Sequence, residues 1–132
     1  MSEGFKIDIV NPEKSFLSKE GVSEVVVPAF EGEIGILKDH ISIISFLKPG
    51  IIKIFTGSEH EQFYVEDGIV EFKDNSLSIL TSSIFNINNM DKELVKTSIE
   101  NSEKELSKDD LDDQKRFLLN HKVEVLKSLS VN

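Results

Sequence analysis

Histidine and cysteine, the residues that most often carry out chemistry in proteins, are sparse in this chain. The three histidines, His40, His60 and His121, are far apart, and no two have the short helical spacing of a metal site. Cysteine is absent, which excludes disulfides, thiolate metal sites and cysteine nucleophiles. We interpret the histidines as structural or surface residues.

Motifs for nucleophilic or phosphate chemistry are also missing. The sequence has no G-x-S-x-G elbow, no G-x-x-x-x-G-K-[ST] phosphate loop and no G-x-G-x-x-G turn. Asp109, Asp110, Asp112 and Asp113 lack the ligand order and central glycine of an EF-hand loop, so the solvated start of a helix explains them better. The 24 acidic residues leave an enzyme with a carboxylate pair open as a weak alternative, but no pattern selects a pair. We therefore expect a protein without catalytic residues, metal or cofactor.

Charge and length exclude several classes of function. The 132 residues carry 15 basic and 24 acidic side chains, a net charge of −9. Such a chain would be repelled by the phosphates of nucleic acids and by anionic lipid surfaces. No apolar run approaches the roughly 20 residues that a membrane span needs, and Met1 to Val10 has no signal-like pattern. We expect a protein of the bacterial cytoplasm or of its membrane face.

Composition divides the chain into a predicted β domain, residues 1–86, and a helical domain, residues 87–132. All seven glycines, all three prolines and nine of the ten aromatic residues lie in the first part. Glycine and proline punctuate short strands and are costly inside helices. The first part has 7 basic and 14 acidic side chains, net −7, and the second has 8 and 10, net −2.

The first domain shows the pattern of many short strands. Residues Phe5 to Val10 alternate between apolar and polar, and Val22 to Phe30 is rich in β-branched residues. Ile41 to Leu47 is apolar enough to predict a strand buried on both faces, and a turn follows at Lys48-Pro49-Gly50. Close spacing predicts about 8–10 strands in an antiparallel β-sandwich or flattened barrel.

The second domain shows two helical stripes. Asn88 to Asp91 resembles a helix start, and Ser107, with an acid three residues later, resembles a second one. The apolar stripes are Val95, Ile99 and Leu106 in the first helix, and Leu111, Leu118, Val125, Leu126 and Leu129 in the second. A short link predicts an antiparallel two-helix hairpin. So thin a hairpin is marginal by itself, which makes it a candidate switch element.

The β domain contains one segment that is rich in both glycine and acidic residues. Glu31 and Glu33 flank Gly32, Gly35 follows, and His40 lies just beyond. A bulge or tight loop accounts for the glycines but not for the paired acids. The segment predicts an acidic loop that projects from a rigid sheet and contacts another protein.

The chain resembles the epsilon subunit family of the bacterial F-type ATP synthase, called delta in mitochondria. The resemblance covers essentially the whole chain, including the order of sandwich and helical pair. It is carried by four stretches: residues 27–40 with E-G-E-x-G and His40, 47–54 with K-P-G, 63–72 and 77–80. The first two motifs together are fairly specific.

This resemblance implies a non-catalytic rotor subunit of the central stalk that couples proton flow to ATP synthesis. It implies contacts with the gamma subunit and the c-ring, at the cytoplasmic face of the bacterial inner membrane, without insertion into the bilayer. By position, Glu31, Gly32, Glu33 and His40 match the loop that the family turns toward the c-ring.

The resemblance also implies a regulatory helical pair, which in many bacterial members extends and blocks ATP hydrolysis. The second helix carries Lys115, Arg116, Lys122 and Lys127 against Glu124. These cations are candidate contacts with the acidic surface of the catalytic alpha and beta subunits. The alternative is ordinary solvated charge that complements the helix dipole.

The sequence departs from the family pattern in two places. Lys38-Asp39 stands where the family usually has Pro-Gly before the histidine. In the motif through which some members bind ATP, Asp91 matches but Leu94 replaces the arginine. A phosphate would lose its bidentate partner, so we expect no ATP binding.

A free-standing β-sandwich binding module for peptide or carbohydrate remains the alternative function. Such a module needs an exposed aromatic face. Phe63 and Tyr64 are adjacent, so in a strand their side chains point to opposite faces and one of them is a candidate for exposure.

Overall fold

A computed structural model describes residues 4–13 and 15–130, and these divide into two compact units with the boundary between Phe85 and Asn86. The described residues form ten strands followed by two α-helices, which confirms the predicted sandwich and helical pair. The elements are β1 (Phe5–Val10), β2 (Ser15–Val22), β3 (Glu24–Ala29), β4 (Gly32–Leu37), β5 (Ile43–Leu47), β6 (Gly50–Thr56), β7 (Glu59–Val65), β8 (Gly68–Lys73), β9 (Ser76–Leu80), β10 (Ile84–Asn86), α1 (Lys92–Leu106) and α2 (Asp113–Ser130). A single 3₁₀ turn, Ile87–Asn89, precedes α1.

The strands form one curled sheet in the order β10-β7-β6-β3-β5-β8-β9-β1-β2, with β4 paired to β3 beside this path. β1 and β9 run parallel, whereas β1–β2, β3–β4, β3–β5, β3–β6, β5–β8, β6–β7 and β8–β9 pair antiparallel. Curling brings β2 against β7, where Phe16 meets Phe63 edge to face with 5.5 Å between ring centroids. Lys19 and Glu61 form an ion pair between the same two strands. These contacts fasten the two layers of the sandwich together.

The core lies between the two layers and consists of the inward residues of nearly every strand. In β1, for example, Phe5, Ile7 and Ile9 are buried and alternate with more exposed residues, as the sequence pattern predicts. Phe5 packs edge to face against Phe72 of β8, with 5.4 Å between ring centroids. Aromatic pairs of this geometry add to the free energy gained by burial.

One expectation about strands is wrong, and β2 was missed. β5 was predicted to be buried on both faces, but the side chains of Ile44 and Phe46 are 71% and 64% exposed. β2 was not predicted, because Phe16 and Leu17 are adjacent rather than alternating and Gly21, with a φ of 70°, lies inside the strand. Apolar composition alone therefore does not tell whether a strand is covered on both faces.

α1 begins at the predicted segment, although its cap is Asp91 and not the asparagine that the sequence favoured, and the predicted start of α2 is wrong. Asp91 caps α1 by accepting a hydrogen bond from the backbone N–H of Glu93 at 3.0 Å. Ser107, predicted to begin the second helix, instead ends the first, since its hydroxyl donates to the carbonyl of Lys104 at 2.6 Å. An N-cap serine cannot be told from a C-terminal serine by the acid that follows it.

The link between the helices is held by side chains of α2 and its flanking loop. The carboxylate of Asp112 accepts from the backbone N–H of Lys115 at 2.7 Å, which fixes the first turn of α2. The guanidinium of Arg116 donates to the carbonyls of Leu106 and Lys108 at 3.0 and 3.2 Å. Arg116 thus satisfies carbonyls that the end of α1 leaves without a helical partner.

Candidate interaction surface of the sandwich

Four exposed apolar side chains form a continuous row across the outer face of β1, β5, β8 and β9. Phe46 is paired with Ile69, Ile69 with Leu80, and Leu80 with Val10. Paired residues of neighbouring strands point to the same face and are about 5 Å apart, so this apolar row spans roughly 15 Å. Phe46, Leu80, Ile69 and Val10 are 64%, 50%, 38% and 38% exposed. Monomeric soluble proteins rarely expose contiguous apolar patches unless a partner covers them.

The β3–β4 turn, residues 30 and 31, borders one end of the apolar row. A surface depression beside Phe46 is lined by Phe30, Glu31, Ile44, Ser45, Phe46 and Ile69. The turn is held against β5 because the backbone N–H of Phe30 donates to the carbonyl of Phe46 at 3.0 Å. An acidic group and an apolar patch thus meet at one end of the sandwich.

Glu31 is fixed in this depression as a carboxylate. The hydroxyl of Ser45 donates to Glu31 Oε1 at 2.6 Å. This hydrogen bond, together with one from the backbone N–H of Glu31 itself, lowers the pKa of the Glu31 carboxyl below its usual value. Glu31 is therefore a preformed negative charge at neutral pH.

The structure does not bring the four predicted loop residues into one loop. Glu31 lies in the β3–β4 turn, and Gly32 and Glu33 are the first residues of β4, paired with Ala29 and Pro28. His40 lies beyond the other end of the six-residue β4, roughly 20 Å away at about 3.3 Å per residue. The expectation of a single projecting acidic loop is wrong, because residues 32–37 pair with β3 as a strand.

The loop around His40 is held by a neighbouring turn. Asp39, at the position where the family usually has glycine, has a φ of 67°. Its backbone N–H donates to Asn75 Oδ1 at 2.7 Å, and Asn75 Nδ2 donates to Asp39 Oδ1 at 2.9 Å. The departure from Pro-Gly is therefore accommodated by a pair of side-chain hydrogen bonds.

Two of the four predicted basic contacts in α2 are engaged within the helical unit. Arg116 caps the end of α1, and Lys127 pairs with Glu103 of α1 at 3.4 Å. Lys115 is exposed and Lys122 is half-buried. In this arrangement of the helices, Arg116 and Lys127 bind atoms of the chain itself.

The predicted remnant of a nucleotide motif has a structural role. The carboxylate of Asp91 is the N-cap of α1. Leu94, which replaces the family's arginine, is 64% exposed and offers no hydrogen-bonding group. The absence of ATP binding stays a prediction.

The aromatic residues considered for a free-standing binding module are both buried. Phe63 lies in the core at 2% exposure, and Tyr64 is 1% exposed. The Tyr64 hydroxyl donates to Glu66 Oε2 at 3.1 Å, and burial together with that carboxylate raises the pKa of the phenol. Neither ring presents a stacking surface for a ligand.

Within residues 4–13 and 15–130, no group of three or more His, Asp and Glu side chains is close enough to hold a metal ion. None of the helices in these ranges combines the length and hydropathy needed to cross a membrane.

Sequence comparisons point to one family. A family model described as the beta-sandwich domain of the ATP synthase delta/epsilon chain matches residues 4–87. The ATP synthase epsilon chain of Pelagibacter ubique (strain HTCC1062) is 65% identical over 130 residues, which cover 98% of this chain and 100% of the relative. The ATP synthase epsilon chain of Leptospira interrogans serovar Lai is 36% identical over 121 residues, 92% of each chain.

Solved structures share the fold at lower identity. A chain in the cryo-EM structure of the Euglena gracilis mitochondrial ATP synthase, OSCP/F1/c-ring in rotational state 1, matches with a TM-score of 0.77 and 20% identity over 97% of this chain and 80% of that one. A chain of the Tetrahymena thermophila mitochondrial ATP synthase central stalk and c-ring matches with a TM-score of 0.67 and 17% identity, over 98% of both chains.

Proposed function

The chain belongs to the delta/epsilon-chain family of the ATP synthase, and from this membership we propose that it is a non-catalytic central-stalk subunit that couples proton flow through the c-ring to ATP synthesis. In this role it is clamped between the gamma subunit and the c-ring, as a peripheral protein at the cytoplasmic face of the bacterial inner membrane. Torque transmission requires a rigid body, and a close-packed sandwich supplies one.

The apolar row is the observation that carries this proposal. It is a flat, exposed strip on four hydrogen-bonded strands, so a partner can bury it without reorganising the sandwich. We assign gamma to the row because it is an extended apolar contact on the outer face of four strands, of which only the Phe46 end borders the β3–β4 turn. Apolar burial of this kind is the main favourable term in protein association.

The β3–β4 turn is the proposed contact with the c-ring. Glu31 is held ionised by Ser45, and the exposed Glu33 begins the following strand. Two carboxylates at one turn can pair with basic side chains on the polar loops of the ring. His40, at the far end of β4, then belongs to a separate contact.

Mixing experiments with purified subunits test the proposal. We expect the chain to form a stable complex with gamma at micromolar concentrations, and the gamma complex to bind isolated c-rings. Glu31→Gln together with Glu33→Gln should weaken the c-ring step more than the gamma step, because Glu31 borders only the Phe46 end of the apolar row. A chain that stays apart from gamma at these concentrations would contradict the central-stalk role.

The helical unit is the proposed regulatory element. If α1 and α2 separate, Arg116 loses its hydrogen bonds to the carbonyls of Leu106 and Lys108. Lys127 loses its ion pair with Glu103. Both cations then become available to the acidic surface of the catalytic alpha and beta subunits. Truncation after Asn89 should then raise ATP hydrolysis by the reconstituted complex. An unchanged rate would remove the inhibitory role and leave the coupling role intact.

A further inference from the structure

Asp39 adopts a backbone conformation that a non-glycine residue rarely takes. Its φ of 67° lies in the left-handed region, where the β-carbon of an L-residue is crowded by its own backbone. Aspartate and asparagine visit this region when their side chains or neighbours supply hydrogen bonds. Such a conformation persists only where the surrounding structure holds it.

The surrounding structure in this case is the β8–β9 turn. The Asn75 side chain accepts a hydrogen bond from the Asp39 N–H at 2.7 Å and donates one to the Asp39 carboxylate at 2.9 Å. Both polar groups of the Asn75 amide are therefore bonded to Asp39. Asp74 and Asn75 have φ values of 52° and 57°, as in the tight turns that join hairpin strands. The carbonyl of Asn75 also accepts from the N–H of Lys6 at 3.2 Å, which ties the turn to β1.

His40, the next residue after Asp39, is held in one orientation. Its backbone N–H donates to the carbonyl of Leu37 at 3.1 Å, and Nδ1 lies 2.7 Å from the carbonyl of Ile41. A carbonyl can only accept, so Nδ1 carries the proton in the neutral ring. The ring stands edge to face on Phe72, with 6.0 Å between centroids. Nε2 is then left as a hydrogen-bond acceptor.

We propose that Asp39 and Asn75 are positioning residues, which hold the half-buried His40 so that Nε2 accepts a hydrogen bond from an N–H or O–H donor of a stalk partner. The inference rests on the proposed function, in which His40 belongs to a contact separate from the β3–β4 turn. Neither Asp39 nor Asn75 needs to touch the partner. Their effect passes through the backbone of residue 39 to the ring of residue 40.

Asn75→Gly is the informative variant, because glycine tolerates a φ of 57° and removes only the amide side chain. Asp74→Gly is the matched control, since it makes the same change in the same turn. Nitrogen and proton NMR of the isolated full-length chain should show His40 with the proton fixed on Nδ1 and with ring protons shifted by Phe72. In Asn75→Gly we expect both signatures to be lost, and in Asp74→Gly we expect both to remain.

Binding to gamma and to the gamma–c-ring complex provides the second measurement. One hydrogen bond contributes about a five-fold change in affinity. Asn75→Gly and His40→Ala should therefore weaken binding to one of these partners about equally. The double variant should bind no more weakly than either single variant, because both changes remove the same hydrogen bond.

A rescue distinguishes positioning from general destabilisation. Glycine at residue 39 reaches a φ of 67° without help, so Asp39→Gly should keep the His40 signals and should reduce the effect of Asn75→Gly on them. Unchanged His40 signals in Asn75→Gly, or equal changes in Asp74→Gly, would overturn the positioning role. If wild-type chain binds neither partner, the proposed function fails, while the NMR comparison still decides whether the pair holds His40.

Discussion

Phe46→Ala is the most direct test of the apolar row. A phenylalanine side chain presents roughly 150–250 Å², and Phe46 is 64% exposed, so roughly 95–160 Å² is left for a partner to cover. At about 25 cal/mol per Å², full coverage contributes about 2.4–4 kcal/mol to binding. Alanine keeps part of this contact, so we expect a loss of about 1.5–3 kcal/mol, which raises Kd about 10- to 150-fold.

Titration calorimetry with purified gamma measures this change. Phe85→Ala is the matched control, because Phe85 is 50% exposed but lies on β10, away from the four strands of the apolar row. We expect the control to leave Kd within about two-fold, and both variants to unfold within about 1 kcal/mol of wild type, since neither ring is in the core. Equal losses of affinity for the two variants, or no loss for Phe46→Ala, would refute the assignment of gamma to the row.

Two further predictions concern the acidic turn and the helices. Ser45→Ala should raise the pKa of the Glu31 carboxyl toward its usual value, because it removes the hydroxyl that lowers this pKa. In the wild type, the hydrogen bond stabilises the fold above the ordinary pKa of the carboxyl, and this stabilisation is lost as pH falls through the lowered pKa. A carboxyl NMR titration measures the change, and an unchanged pKa in the variant would show that the hydroxyl does not hold Glu31. Leu126→Ala should destabilise the helices by about 2–5 kcal/mol, because the Leu126 side chain is 1% exposed. Leu94→Ala, at an exposed site, should change the stability of the helices by less than about 0.5 kcal/mol. A denaturant titration followed by helical circular dichroism measures both changes. Similar effects for the two leucines would contradict the packing of α2.

The sequence predicts the fold well wherever one local signal decides the structure. Apolar and polar residues alternate from Phe5 to Ile9, and the strand runs from Phe5 to Val10. The segment Asn88 to Asp91 has capping side chains just before a helical stripe, and α1 begins after it. In α1 the hydrogen bonds join residues close in sequence, so a short window contains the cause. In β1 the alternation of buried and exposed side chains is visible locally, although one of its ladder partners, β9, is distant in sequence.

Sequence reasoning is weaker for the candidate surface, because exposure depends on which elements cover a strand. The alternation of Ile44, Ser45 and Phe46 was the available signal for a strand with one apolar face outward, but neighbouring isoleucines hid it. In the sequence, Asn75 follows Asp74 between two strand patterns and indicates only a turn. Its contact with Asp39 joins residues 36 positions apart, and no local pattern encodes such a pairing.

Stability is distributed unevenly between the two units, and this bears on the proposal that one subunit combines torque transmission with regulation. Of the 21 hydrophobic residues buried in the described ranges, 18 belong to the sandwich and three, Val95, Val123 and Leu126, to the helices. Apolar burial stabilises a unit roughly in proportion to its area, so rearrangement of the helices costs much less free energy than deformation of the sandwich. A change of helix position can therefore respond to a partner while the apolar row and the β3–β4 turn keep their geometry. In the proposed function, regulation by the helices therefore leaves the rigid coupling body unweakened.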